Sequence, residues 1–208
     1  MGKSAPNSPL PPPVYGGRKT VRIGLLGGSF NPAHGGHLHI SRLALRGLGL
    51  DEVWWLVSPQ NPLKSASDMA PLTARLASAR SVAQADFRIR VSDLESRLGL
   101  RYTVDTLRAL KVRHPGAVFV WLMGADNLGQ IHRWKRWTEI FKIAPIAVFD
   151  RSSYSYTALA SPAAVRFSRS RVSARHLVAA TPPAWAFLFR ERHGASATEE
   201  RARGHWKT

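Results

Sequence analysis

The 208-residue chain contains no cysteine and no long apolar run. Without thiols it cannot form disulfides, thiolate metal sites, iron–sulfur clusters or a cysteine nucleophile. No stretch of about 18 apolar residues is present, so no segment is predicted to span a membrane. A charged start followed by an apolar stretch is also missing, so no signal peptide is expected. These absences predict a soluble, cytoplasmic protein.

Acidic residues are scarce: 13 Asp and Glu stand against 30 Lys and Arg, a formal net charge of +17. Of these 30 cations 23 are arginines, whose planar guanidinium suits bidentate contacts with phosphate or carboxylate. The balance favours an anionic partner, such as a nucleotide, a phosphorylated metabolite or a nucleic acid. A solvated basic surface explains it equally well, because no block of five or six consecutive cations occurs. Charge alone does not choose between these interpretations.

The domain organisation follows from composition. Residues 1–19 hold five of the 14 prolines and show no apolar pattern. Such a segment cannot bury enough surface to offset its ordering entropy, so 1–19 is predicted to be a disordered, Pro-rich tail. The remaining residues, 20–208, fit a single domain.

Apolar segments of strand length alternate with helical segments from Thr20 onward. The predicted strands are Val21–Leu26, Glu52–Val57, Phe87–Val91, Ala117–Met123, Pro145–Phe149 and Ala184–Phe189. The predicted helices are His37–Leu48, Leu72–Ala83, Thr103–Val112 and Trp137–Ile143, whereas 152–180 is interpreted only as loop plus helix. Strands alternating with helices indicate a parallel sheet covered on both faces. The predicted fold class is therefore α/β, a doubly wound parallel sheet that binds ligands beyond the carboxyl ends of its strands.

The segment Gly27–His37 reads GGSFNPAHGGH and directly follows the first predicted strand. Its adjacent glycines permit a close approach of backbone to ligand. Exposed N–H groups where the next helix begins, near Gly35, form an anion site together with the helix dipole. His34 and His37 are three residues apart, so both can point toward the same anion. Neither G-x-G-x-x-G nor a Walker Gly-Lys-Ser/Thr sequence is present in this segment.

This eleven-residue string resembles the signature of the nucleotidyltransferase superfamily with an H-x-G-H motif. The resemblance implies a Rossmann-like nucleotidyltransferase fold, in which His34 and His37 bind the phosphates of ATP and stabilise a pentacovalent transition state. Adenylyl transfer requires neutralisation of charge on the α-phosphate as pyrophosphate leaves. No nucleophilic side chain is needed if the phosphate of the second substrate attacks.

Two further segments are similar to bacterial nicotinate-nucleotide adenylyltransferases on the side of the second substrate. Ser58–Lys64 (SPQNPLK) resembles the substrate loop of that family, which implies a phosphate contact for Lys64. A solvated loop lysine is the alternative. Arg75 in the following helix fits the family's substrate-side arginine only loosely.

Glu95 followed by 101–107 (RYTVDTL) resembles the family's E…x-Y-T-x-D-T-L segment. The resemblance implies that the region of Thr103 grips the carboxylate of nicotinate, because a hydroxyl and N–H groups at a helix start suit an anion. Alternatively, Thr103 is a helix cap and Asp105 complements the helix dipole.

After the fourth predicted strand, Gly124-Ala125-Asp126 resembles the family's G-x-D, which contacts the ribose and base of the nucleotide. Trp134 follows at the spacing of the aromatic residue that stacks on the pyridine ring in the family. Packing in the protein is the alternative for Trp134. The strand tryptophans Trp54, Trp55 and Trp121 are predicted to be core residues.

Near the end of the chain, Ser196–Arg201 (SATEER) resembles the family's phosphate loop, I-S-S-T-x-[IL]-R. The resemblance implies that Ser196, Thr198 and Arg201 hold the β- and γ-phosphates of ATP. Ala195, Ala197 and Glu200 depart from the pattern. Arg201 is predicted to be catalytic together with His34 and His37. The predicted ATP-binding residues are Gly28, Ser29, Phe30, His34, His37, Gly124, Asp126, Ser196, Thr198 and Arg201, and the predicted mononucleotide-binding residues are Gly28, Ser29, Asn31, Lys64, Thr103 and Trp134.

The resemblance implies an enzyme of NAD biosynthesis that transfers AMP from ATP to nicotinate mononucleotide, giving deamido-NAD and pyrophosphate. Mg²⁺ is the implied cofactor, held mainly by the ATP phosphates rather than by protein ligands. Nicotinamide mononucleotide and phosphopantetheine remain alternative acceptors. A non-catalytic nucleotide-binding or basic nucleic-acid-binding module is a further alternative, although basic helices, zinc ligands and ribonucleoprotein motifs are missing from the sequence. The acid or amide form of the acceptor and the oligomeric state stay open.

Overall fold

The computed structural model describes residues 20–59, 69–150 and 155–188. In that part of the chain one sheet contains the strands β1 Val21–Gly28, β2 Glu52–Val57, β3 Ile89–Ser92, β4 Ala117–Gly124, β5 Ile146–Phe149 and β6 Trp185–Leu188. The helices are α1 Gly35–Gly47, α2 Leu72–Ala83, α3 Leu94–Arg97, α4 Thr103–Arg113, α5 Ala125–Gln130, α6 Trp137–Ile143, α7 Ser155–Leu159, α8 Pro162–Arg166 and α9 Ala174–Leu177. None of these helices is both long and apolar enough to cross a membrane.

The sheet is parallel throughout, with the strand order β3-β2-β1-β4-β5-β6. The first described strand, β1, lies inside the sheet. From β1 the chain adds β2 and then β3 on one side, and β4, β5 and β6 follow on the other side of β1. This topology confirms the predicted doubly wound α/β fold. The strand order reverses between β1 and β4, and ligands of such sheets bind in the crevice outside the carboxyl ends at that point.

The two tryptophans of β2 show that both faces of the sheet are covered. Trp54 and Trp55 are fully buried and belong to two separate apolar clusters, one on each face. Trp54 Nε1 donates to Glu52 Oε2, and Trp55 Nε1 donates to Ser41 Oγ, both at 2.8 Å. Trp121 of β4 is also buried. The prediction that these three tryptophans are core residues is therefore confirmed.

The predicted strand Phe87–Val91 is wrong at its beginning, because β3 begins at Ile89. Phe87 is 89% exposed. It lies in a turn that Asp86 closes: the Asp86 carboxylate accepts the Arg88 N–H at 3.2 Å, and the Asp86 carbonyl accepts the Ile89 N–H at 2.9 Å. By hydrophobicity alone, an exposed phenylalanine next to a strand looks like a strand residue. The sequence pattern therefore placed the beginning of this strand two residues too early.

The other predicted strands and helices are present, with ends within two residues wherever they are described. The stretch predicted as loop plus helix contains the short helices α7, α8 and α9. The prediction of a tail at 1–19 lies outside the described residues and stays a prediction.

Candidate active site

The loop between β1 and α1, residues 29–34, lies at the carboxyl edge of the sheet and packs on aromatic side chains. Phe30 has a positive φ of 49° and is 1% exposed. Its ring stacks on Trp55 with 5.1 Å between centroids and lies 4.7 Å from the ring of His37. Of the predicted ATP contacts, Phe30 thus turns its side chain into the core, whereas Gly28 and Ser29 stay partly exposed.

Gly27 shows why this strand end needs glycine. A Cβ atom on Gly27 would lie 2.5 Å from Cη2 of Trp121 on the neighbouring strand. That distance is shorter than any real contact, so the indole packs over β1 only because the side chain is missing.

His34 and His37 lie together where α1 begins. His34 is the N-cap residue: its Nδ1 accepts the Gly36 N–H at 3.1 Å, and Nδ1 of His37 accepts the His34 N–H at 3.2 Å. The two ring centroids are 4.0 Å apart. Because Nδ1 of each ring accepts a backbone N–H, the neutral imidazole carries its proton on Nε2. Each histidine therefore has an Nε2–H donor at a helix start whose dipole favours anions.

Helix α2 holds the same loop through a buried arginine. Arg75 is 1% exposed, and burial lowers its pKa. Its Nε donates to Ala70 O at 2.9 Å, Nη1 donates to Ser29 O at 2.8 Å and to Ser58 O at 2.7 Å, and Nη2 donates to Pro59 O at 2.9 Å. The side chain loosely matched to a substrate-side arginine thus binds backbone carbonyls.

Two further contacts connect the loop to the region of α2. Ser78 Oγ accepts the Ala33 N–H at 3.2 Å, and Asn31 Oδ1 accepts the Ala70 N–H at 3.2 Å. Asn31, a predicted mononucleotide contact, is 6% exposed. The amide oxygen of Asn31 therefore connects the loop to the residue just before α2.

Helix α4 packs on the opposite face of the sheet from α1 and α2. Its N-cap is Tyr102, without a side-chain cap bond, and Thr103 is the first helical residue. The alternative interpretation of Thr103 as the cap is therefore wrong by one residue. Glu95, 7% exposed, accepts a hydrogen bond from the Thr106 hydroxyl at 2.8 Å. Burial raises the pKa of Glu95 to about 7, and the Thr106 hydrogen bond partly opposes this rise.

Trp134 ends the 3₁₀ turn Ile131–Arg133 and is partly buried against the apolar cluster of the α4 face. Lys135 Nζ lies 4.3 Å from the centroid of the Tyr102 ring. Along the chain, Trp134 precedes Lys135 and Thr103 follows Tyr102. This contact joins the segments that contain the two residues, and the binding of the nicotinate ring by Trp134 and of its carboxylate by Thr103 stays a prediction.

At the end of β4, Gly124 is the N-cap of α5 and Asp126 lies in the first helical turn. A carboxylate in that position faces the positive end of the helix dipole. A depression of about 370 Å³ adjoins it, lined by Ala125, Asp126, Gly129, Thr157, Ala158, Ser161 and Pro162.

Four predicted site residues lie outside the described residues: Lys64, Ser196, Thr198 and Arg201. Sequence reasoning missed the contacts of Arg75 and the position of Lys135. For Arg75 a signal was available, because it shares the buried face of α2 with Leu76, Ala79 and Ala83. An arginine on such a face predicts a buried polar contact.

Comparisons with known proteins show the family to which this chain belongs. A family model described as cytidylyltransferase-like matches residues 25–203. A protein of Parvibaculum lavamentivorans named probable nicotinate-nucleotide adenylyltransferase is 55% identical over 189 residues, which cover 89% of this chain and 94% of that protein. A protein of the same name from Methylorubrum extorquens is 53% identical over 186 residues, 88% of this chain and 100% of that protein.

The chain belongs to the nicotinate-nucleotide adenylyltransferase family. This membership confirms the resemblance found in the sequence and identifies the chain as a nucleotidyltransferase. The fold of the family is also present in nicotinic acid mononucleotide adenylyltransferase of Plasmodium falciparum, solved in complex with NaAD. That structure has a TM-score of 0.66 and 17% identity, covering 88% of this chain and 83% of the other. At this identity the likeness concerns the fold alone.

Proposed function

We propose that this chain transfers the adenylyl group of ATP to nicotinate mononucleotide, forming deamido-NAD and pyrophosphate. The observation that carries the proposal is the pair of imidazoles at the start of α1, with centroids 4.0 Å apart. It occurs in a chain that shares about half of its residues with curated relatives named for this reaction.

In the proposed reaction, a phosphate oxygen of the mononucleotide bonds to the α-phosphorus of ATP. The bond from that phosphorus to the bridging oxygen of the β-phosphate breaks, and pyrophosphate leaves. Negative charge grows on the phosphate oxygens as this happens, so donors held in advance lower the barrier. The Nε2–H groups of His34 and His37 are such donors, because backbone N–H groups occupy their Nδ1 atoms.

The proposed ATP site extends from the loop after β1 to the end of β4. Gly28, Ser29 and Phe30 border the phosphates, with Phe30 acting through its backbone, and Gly124 and Asp126 take the ribose and base. Asp126 adjoins the depression beside α5 and α7, which supports this assignment. Ser196, Thr198 and Arg201 complete the proposed ATP site, with Arg201 catalytic.

The proposed mononucleotide site lies at the carboxyl edge of the sheet, on the side of α4. Trp134 stacks on the nicotinate ring, and the Thr103 hydroxyl with the N–H groups at the α4 N-terminus donates hydrogen bonds to its carboxylate. The Lys135 ammonium beside Tyr102 supports an acidic rather than an amide substituent, because a nearby cation attracts a carboxylate. Lys64 contacts the phosphate, and Gly28, Ser29 and Asn31 form the border with ATP.

We propose that Mg²⁺ enters with ATP. Within residues 20–59, 69–150 and 155–188, no group of three or more His, Asp or Glu side chains could hold a metal ion. Phosphate oxygens and water suit Mg²⁺, and the bound ion neutralises charge on the phosphates.

The test is pyrophosphate release from ATP and Mg²⁺ with nicotinate mononucleotide, nicotinamide mononucleotide or phosphopantetheine supplied separately. We expect kcat/KM for nicotinate mononucleotide to exceed the other two by about 10-fold or more, because an acceptor without the carboxylate leaves the groups that bind it unpaired. Preference for another acceptor would reassign the substrate. ATP binding without pyrophosphate release would instead indicate a non-catalytic module.

A further inference from the structure

Arg75 is a buried cation that the proposed reaction does not use. Among the described residues, no carboxylate lies within ion-pair distance of its guanidinium. Burial of a guanidinium is costly unless its N–H donors make hydrogen bonds, so the bonds that Arg75 makes are required to keep it buried. Those bonds go to four backbone carbonyls in three segments.

The first segment is the loop that carries the histidines, reached at Ser29 O. The second is the chain that leaves β2, reached at Ser58 O and Pro59 O. The third is Ala70 O, just before α2, and the Ala70 N–H in turn holds the side chain of Asn31. Arg75 therefore connects the carboxyl ends of β1 and β2 to one another and to α2.

Only a guanidinium has the shape for this arrangement. Its N–H donors lie in one plane and point in fixed directions, whereas an ammonium has three donors around one point. Lysine would keep the charge and most of the length but could not reach carbonyls on three sides. Substitution by lysine thus separates the effect of charge from the effect of geometry.

We propose that Arg75 is a positioning residue for adenylyl transfer, which sets the placement of the loop at 29–34 relative to the chain leaving β2. It acts through the backbone, so that a change at Arg75 displaces His34 and His37 without removing them. The inference rests on the proposed function of that loop. A displacement of about 1 Å in a reacting group can cost about 100-fold in rate.

The experiment compares Arg75→Lys and Arg75→Ala with Arg80→Lys and Arg80→Ala, which change an exposed arginine on the same helix. Kinetics are measured well below the melting temperature of each variant. For Arg75→Lys we expect kcat to fall about 30-fold and KM for the mononucleotide to rise about 5-fold, with both Arg80 variants within twofold of wild type. If Arg75→Lys lowers only the melting temperature and keeps kcat and KM within twofold, Arg75 only stabilises the fold and the proposal is overturned.

Guanidinium at tens of millimolar provides a second readout for Arg75→Ala. We expect it to restore kcat/KM by at least 5-fold, with no recovery in sodium chloride of equal ionic strength. Equal recovery in both salts would contradict the geometric role. If Arg75→Ala does not fold, the Arg75→Lys kinetics decide.

Hydrogen exchange separates this inference from the proposed function. In Arg75→Lys we expect amide exchange to accelerate about 10-fold in 27–37 and at Val57 and Ser58, and to remain unchanged in β5 and β6. If wild type releases no pyrophosphate with any acceptor, the proposed function fails, and unchanged exchange in 27–37 would overturn the positioning role independently.

Discussion

The two sides of the candidate site are built differently. On the side of α1 and α2, polar side chains hold the loop at 29–34: Arg75 and Ser78 each bond the loop backbone, and Asn31 of the loop accepts the Ala70 N–H. On the side of α4, the Lys135–Tyr102 contact is partly exposed and aromatic, and it lies beside a buried hydrogen bond from Thr106 to Glu95. Under the proposed function, this difference corresponds to separate tasks for the two sides. The reacting phosphorus needs fixed donors, whereas recognition of a planar ring tolerates a softer surface.

Removal of a donor on the rigid side has the largest expected effect. We expect His37→Ala to lower kcat by about 100-fold or more, a loss of about 3 kcal/mol of transition-state stabilisation. The KM for the mononucleotide should change less, because the ring is proposed to bind on the other side. Steady-state kinetics measure both, and His39→Ala on the same helix is the control. A His37→Ala enzyme within threefold of wild type would remove this residue from the mechanism.

The α4 side should show a pH dependence of stability, because burial raises the pKa of Glu95 to about 7 from its ordinary value of 4.5. The folded state holds this proton more tightly than the unfolded state. The resulting stabilisation is complete below about pH 4.5 and is lost as the pH rises through 7. We expect Glu95→Gln to gain stability relative to wild type between pH 5 and pH 8, by on the order of 2 kcal/mol.

Thermal unfolding at several pH values measures this gain. Glu139→Gln is the control, because Arg136 and then Arg108 hold the pKa of that partly exposed carboxyl below its usual range. The stabilisation that ionised Glu139 contributes is lost as the pH falls below its usual pKa of 4.5, whereas that of Glu95 is lost as the pH rises. A difference between wild type and Glu95→Gln that stays constant from pH 5 to pH 8 would show that Glu95 does not titrate in this window.

Substitution of Trp134 tests the α4 side directly. If the indole stacks on nicotinate, Trp134→Ala should raise KM for the mononucleotide by about 10-fold, because stacking contributes about 1–3 kcal/mol per base. The KM for ATP should change little. Because Trp134 is partly buried against the α4-side cluster, a modest fall in melting temperature is also expected.

Trp137→Ala is the matched control, since Trp137 contacts Phe141 and Phe167 at centroid distances of 6.2 and 5.9 Å. It should lose stability and keep both KM values. If Trp134→Ala behaves in the same way, Trp134 is a packing residue and the choice of acceptor reopens.

The smallest effect is expected from deletion of residues 1–19. Their composition predicts that they do not pack on the domain, so neither side of the site should depend on them. Activity and melting temperature should stay nearly unchanged. A fall of several degrees, or lost turnover, would show that this segment docks on the domain.

Some elements could be predicted from the sequence and others could not, for physical reasons. The segment 27–37 was recognisable because glycines, histidines and a helix start lie within eleven consecutive residues. The strand Ala117–Gly124 was recognisable because a parallel strand buried on both faces is apolar throughout. Phe87 was misassigned, because its exposure depends on a turn closed by Asp86 rather than on its own hydrophobicity.

The sequence by itself determined the fold class, the family and the placement of the two histidines, since all three depend on local pattern and spacing. Only the tertiary structure decided what Arg75 and Glu95 do. Arg75 binds a carbonyl 46 residues away along the chain, and Glu95 binds a hydroxyl 11 residues away on another helix. Burial and hydrogen-bond partners across such separations arise only when the sheet brings its strand ends together.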